Sequence, residues 1–158
     1  MASNFIANQF KALHKKLFPT ALSPEKKYGY ALVAAMALVA SADGVLDPSE
    51  TEAAKEIINR TEEINKYLTT EEANKAFKIY IDNLVDAIAR EKTRFDIAVN
   101  LLLQKIPYVE KEEWKQNILD ISREMAMADG ILHEDEEKMI ERIASSLWQS
   151  YKEYVPGM

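Results

Sequence analysis

The chain has 158 residues, enough for one domain that buries about 70% of its unfolded surface. It contains no cysteine, which excludes disulfides, thiolate metal sites and cysteine catalysis. A net charge of −6 argues against a nucleic-acid partner, which needs a basic face, and four glycines with five prolines leave little material for hairpins.

The absence of cysteine fits a reducing cytoplasm, and the first residues carry no basic segment followed by an apolar core, so no secretory signal is expected. A helix is predicted over residues 3–18, with Ile6, Phe10, Leu13 and Leu17 on one stripe. Lys11, Lys15 and Lys16 lie beside that stripe, a pattern suited to an anionic membrane or an acidic partner. Packing on its own domain with a solvated basic face is the ordinary alternative and the favoured one. The next helix is predicted from Pro24 to Ala42, with Ser23 as N-cap and Pro24 in the first helical position. It contains the longest apolar run, Ala31 to Ala40. A bilayer span takes about 20 residues, so this run reads as a helix buried on all sides. Its five alanines let neighbouring helices approach closely.

Asp43-Gly44 ends that helix, and Asp47-Pro48-Ser49-Glu50 starts another: a capping Asp, a first-turn Pro and a Glu three residues on. A helix after Thr70 turns Phe77, Ile81, Leu84, Val85 and Ile88 inward. Lys92 to Ile106 follows with Phe95, Val99, Leu102, Leu103 and Ile106 inward, and Pro107 stops it. Glu110 to Ala128 buries Trp114, Ile118, Ile121 and Met125; Glu134 to Tyr151 buries Met139, Ile140, Ile143, Leu147 and Trp148. The last few residues read as a loose tail. No linker divides the chain. The expected fold is a single all-α domain, one bundle of about seven helices with a core over residues 25–150. Residues 1–24 would pack on that core or be mobile.

A short pattern, Ala-Asp-Gly-apolar-Leu-x-x-x-Glu, occurs at residues 42–50 and again at 128–136, 86 residues later. Over residues 40–50, six of eleven positions equal their partners, where average usage gives roughly one. The helix-turn-helix units around the two copies are therefore expected to be related by a pseudo-two-fold repeat. Helix-corner geometry explains much of the pattern. Gly44 and Gly130 take the left-handed conformation, Leu46 and Leu132 plug the corner into the core, and Glu50 and Glu136 cap the following helix. It leaves Asp43 and Asp129 unexplained, each placed against its helix dipole at a cost of about 0.3–1 kcal/mol. A divalent cation would compensate them; so would Lys55, Arg60, Arg123 or Arg142 from a neighbouring helix.

From the Asp-Gly onward, both turns match the second half of an EF-hand loop. The first half is missing: its first two ligand positions fall on Val39 and Ser41, and on Met125 and Met127. One turn alone would bind weakly. If both converge, Asp43, Asp47, Glu50, Asp129, Glu134, Asp135 and Glu136 gather, and their repulsion raises some carboxyl pKa values. Oxygen ligands favour Mg²⁺, Ca²⁺ or Mn²⁺. His133, which replaces Asp47 in the second copy, would tilt the site toward Mn²⁺ or Zn²⁺, although a histidine near a helix start is more often solvated.

With these turns on helix corners, the chain resembles the tellurite-resistance protein B (TerB) family. The Ala-rich segment Ala31–Ala42 running into Asp43-Gly44, then Asp47 and Glu50, looks like one family signature. Met125-Ala-Met-Ala-Asp-Gly-Ile-Leu, ending in Glu136, looks like the other. The resemblance implies an all-helical bundle and a stress-response role in resistance to tellurite, phage and colicins. It implies work alongside other tellurite-resistance proteins in membrane-associated complexes, which puts the chain in the cytoplasm or at the inner membrane surface. It also implies a divalent metal at Asp43, Asp47, Glu50, Asp129 and Glu136, with His133 departing from an all-acidic pattern. A homodimer stays open.

An enzyme is the weaker reading. His14 and His133 are the two histidines; no Glu-x-x-His, Gly-x-Ser-x-Gly or phosphate-cradling loop occurs. A metal-independent protein–protein or membrane-surface module is the alternative to cation binding.

Overall fold

A computed structural model describes residues 23–154, apart from Leu46, Lys105, Pro107, Tyr108, Glu110 and Asp129, with side chains described to Trp148. The helix predicted over residues 3–18 and the tail from 155 lie outside the described residues. Seven helices and no strand are present among the described residues. They are α1 (Pro24–Ala40), α2 (Pro48–Arg60), α3 (Glu62–Tyr67), α4 (Thr70–Arg90), α5 (Lys92–Leu103), α6 (Glu112–Ala126) and α7 (Glu134–Tyr154). The all-α expectation holds.

α1 is the hub. Ser23 Oγ accepts from the Lys26 backbone N–H at 3.2 Å, and Pro24 opens the helix. No charged residue follows Lys27, and every residue from Tyr28 to Ala40 is buried. The helix packs against α2, α3, α4, α6 and α7. Such all-round burial needs small residues where neighbours come close, and alanine and Gly29 supply them. A Cβ on Gly29 would lie 2.9 Å from Leu68 Cγ, inside van der Waals contact. Leu68 is itself buried and has little room to yield. Gly29→Ala should therefore destabilise the fold by about 1–2 kcal/mol in thermal melts, although helix propensity alone favours it by about 1 kcal/mol. A net gain in stability would show that Leu68 has space to move.

α2 starts as predicted: Asp47 Oδ1 accepts from the Ser49 N–H at 3.1 Å, and Pro48 follows the cap. The chain then forms α3, a helix the sequence reading lacked. Thr61 ends α2 and begins α3, and the Asn65 amide ties the two together by donating to the Ile58 carbonyl at 2.8 Å. α4 begins at Thr70, behind a capping box in which Thr69 and Glu72 exchange bonds of 3.0 Å. α5 ends at Leu103, short of the predicted Ile106, which is buried nonetheless.

An aromatic cluster joins α1, α3 and α6. Tyr28 stacks on Trp114 with centroids 4.5 Å apart and planes 3° from parallel. Tyr67 meets both edge-on, at 5.7 and 6.0 Å. The Tyr28 hydroxyl donates to Glu63 Oε2 at 2.8 Å and accepts from Asn117 Nδ2 at 3.0 Å. Burial pushes that hydroxyl well above the ordinary tyrosine range.

Candidate functional site

α1 and α6 each end in a corner of the same backbone design. At the first, the N–H of Ala42 bonds the Val39 carbonyl at 3.2 Å and that of Gly44 bonds Ser41 at 2.9 Å. At the second, Ala128 bonds Met125 at 3.3 Å and Gly130 bonds Met127 at 2.9 Å. Gly44 has φ +80° and Gly130 +85°, the left-handed conformation expected of both. A Cβ on either would meet nothing within 4 Å, so the requirement is conformational, not one of space. The likeness established between the two units is this corner geometry.

Beyond the glycines the copies differ in how they start the next helix. Asp47 caps α2 with its own carboxylate. At α7 the cap comes from Glu136, whose Oε1 accepts from the His133 N–H at 3.1 Å. Glu134, Asp135, Glu136 and Glu137 all lie in the first turn of α7, where the dipole favours negative charge.

Asp43 has a local role that the sequence reading did not assign. Its Oδ1 accepts from the Val45 N–H at 3.0 Å, forming an Asx turn that holds the corner. Of the four basic residues considered as its compensation, Lys55 pairs with Glu52 at 3.4 Å and Arg60 with Glu124. Arg123 pairs with Asp120 at 3.6 Å, and Arg142 donates to Asn100 Oδ1 at 2.6 Å. None of these bonds reaches Asp43.

The first corner adjoins the start of α7. One cleft of about 520 Å³ is lined both by Asp43 of the first corner and by Asp135 and Lys138 at the start of α7. Lys92, Asp96 and Arg142 add further charge to its walls, and Ile88, Phe95 and Met139 their apolar part. Glu50 senses both corners. Its carboxylate takes a hydrogen bond from the Asp47 backbone, yet Oε2 is buried with no hydrogen-bond partner. Burial, then the charges of Asp43, Glu136 and Asp47, push the Glu50 carboxyl up to about 7.

Of the predicted ligands, Asp43, Asp47 and Glu136 are thus brought within electrostatic reach of Glu50. His133 is exposed, Glu134 pairs with Lys138 at 3.1 Å, and Asp129 lies outside the described residues. No group of three or more His, Asp or Glu side chains among the described residues is close enough to hold a metal ion. Asp43, Asp47 and Glu136 each turn one oxygen onto a backbone N–H of their own corner or helix start. The expected leucine plug is also corrected. Leu132 is exposed, because the left-handed glycine carries the chain outward before α7 begins, and Leu46 lies outside the described residues.

Fold and site together define an all-helical bundle whose hub helix and sixth helix end in matched acidic corners. The chain matches the family model for tellurite resistance protein TerB over residues 30–155, and it belongs to the TerB family. No curated protein and no solved structure matches it. No helix among the described residues is long and apolar enough to cross a membrane.

Proposed function

We propose that this chain is a non-enzymatic stress-response protein of the tellurite-resistance type that binds a divalent cation between its two acidic corners. The observation that carries this reading is Glu50: a carboxylate with an orphaned buried oxygen, facing three other carboxylates. Such an arrangement is costly without a counter-charge, and a hard cation supplies one. Asp43, Asp47, Glu50, Asp129 and Glu136 would furnish the oxygens, with His133 at the rim. Ca²⁺, Mg²⁺, Mn²⁺ and Zn²⁺ are the candidates. Binding would draw α2 and α7 together and pass the metal state to partners through that arrangement. Those partners would be other tellurite-resistance proteins, met in the cytoplasm or at the inner membrane surface.

At a hundredfold excess over Kd, a cation bound only by the folded state adds about 2.7 kcal/mol, or roughly 5–10 °C of melting temperature. Asp43→Asn combined with Asp129→Asn is expected to abolish that rise while leaving helix content unchanged. If none of the four cations moves the wild-type melting temperature, the cation reading fails.

A further inference from the structure

The cleft beside the first corner is walled mainly by two helices. Lys92, Phe95 and Asp96 reach it from the start of α5, and Asp135, Lys138, Met139 and Arg142 reach it from α7 at the spacing of one helix face. Its apolar wall is well covered: Phe95 and Ile88 are half-buried and Met139 is buried. A volume of about 520 Å³ falls within the range of small-molecule sites, about 300–1,000 Å³. No hydrogen bond or ion pair among the described residues takes up Lys92, Asp96 or Asp135. Arg142 gives one N–H to Asn100 Oδ1 at 2.6 Å. That bond crosses from α7 to α5, holds the guanidinium between the two helices and leaves the rest of its donor fork unspent.

The mixture of signs selects the ligand. Lys92, Lys138 and Arg142 line the cleft together with Asp43, Asp96 and Asp135. A simple anion is repelled by the carboxylates and a simple cation by the basic groups, and a purely apolar molecule strips water from all of these charges. A small zwitterion with an apolar body avoids each of these costs, because both of its charges have opposites on the wall. Lys138 already pairs with Glu134 at 3.1 Å, which leaves Lys92 and Arg142 for an anionic group. Asp43 spends one oxygen on the Val45 N–H, which leaves Asp96 and Asp135 for a cationic one. The Phe95 ring and the Met139 thioether suit an aromatic body. We propose that this cleft binds a small aromatic zwitterion of the amino-acid class. Its carboxylate would lie on Lys92 and Arg142, its ammonium on Asp96 or Asp135, and its ring on Phe95 and Met139. Lys92, Phe95, Asp96 and Arg142 are not among the cation ligands, so the proposal does not require the metal.

The test is calorimetric titration of the full chain, in chelator, with L-phenylalanine and with analogues that each lack one feature: N-acetylphenylalanine, phenethylamine and glycine. Phenylalanine should bind with a Kd of about 1 mM or tighter, and each analogue about tenfold more weakly. Lys92→Gln with Arg142→Gln should weaken phenylalanine about tenfold and erase its advantage over phenethylamine. Asp96→Asn with Asp135→Asn should weaken it by a similar factor and erase its advantage over N-acetylphenylalanine. All four side chains are exposed, so both variants should keep the wild-type helix content. Amide shifts should centre on Phe95, Asp96 and Met139. Absence of phenylalanine binding overturns the proposal, as do shifts centred elsewhere. Phenethylamine binding as tightly as phenylalanine marks a site for cations and overturns it; N-acetylphenylalanine doing so marks a site for anions and overturns it too. Equal binding of glycine denies the apolar wall a part and has the same consequence. The Lys92 and Arg142 variant should keep its cation-induced melting shift, so failure here and failure of the cation reading are separable.

Discussion

In cation-free buffer above neutral pH, Glu50→Gln is expected to raise the melting temperature, and with divalent cation present it is expected to remove the cation's effect. The Glu50 carboxyl, pushed up to about 7 from an ordinary 4.5, prefers to be protonated in the folded chain. A raised pKa means that the folded state holds the proton more tightly than the unfolded state. Its stabilisation is complete below about 4.5 and is lost as pH rises through about 7. The wild type should therefore lose stability relative to the glutamine variant across that window, and the difference should level off above it. Allowing for solvent screening of this half-buried group, the loss is about 1–2 kcal/mol. Glutamine keeps a carbonyl to accept from the Asp47 backbone, so the start of α2 is preserved. Proton and cation compete for the same oxygens, so cation affinity should rise up to about tenfold per pH unit below 7. Parallel stability–pH curves for the two chains would show that Glu50 titrates as an ordinary surface carboxylate.

Trp114→Ala should have the largest effect on stability, about 3–5 kcal/mol. The indole is buried, stacked on Tyr28, edge-on to Tyr67, and covered by the Lys111 ammonium 4.6 Å from its centroid. Its loss opens a cavity where α1, α3 and α6 meet. Tyr28 cannot swing in to fill it, because its hydroxyl is held by Glu63 and Asn117. The melting temperature should fall by about 10 °C or more. Trp114→Phe keeps a stacked ring and should recover more than half of the loss. Trp148→Ala is the control. That indole is only half-buried, and its Nε1 donates to Glu112 Oε1 at 2.7 Å, so its removal should cost less. Equal costs for the two alanine variants would mean that the aromatic cluster contributes nothing beyond surface contact.

The hub helix was readable because ten apolar residues in a row, bounded by a Ser-Pro start and an Asp-Gly stop, leave few alternatives to a buried helix. The Asp47-Pro48 start of α2 was readable for the same reason: its capping chemistry is local. α3 was not, since six residues make under two turns and show no periodicity. The Thr61 cap followed by Glu62 and Glu63 was the signal available for it. At the corners, the glycine conformations followed from sequence, and the Asx turn at Asp43 was there to be read from its Asp-Gly-Val context. The meeting of Glu50 with Glu136 was not, because it depends on how α1, α6 and α7 pack. The exposure of Leu132 was misjudged because leucine at a repeated position reads as core, whereas here the chain turns outward.

The placement of α1 also bears on how the chain is made. This segment leaves the ribosome before α2, α3, α4, α6 and α7, the described helices that pack on it, and α6 and α7 are the last of them. At about 5–20 residues per second, its apolar surface stays without those partners for several seconds of synthesis. The helix with the most continuous apolar surface among the described residues is thus the first of them to be made and waits longest for its cover, so yield in the cell should depend on a holding chaperone.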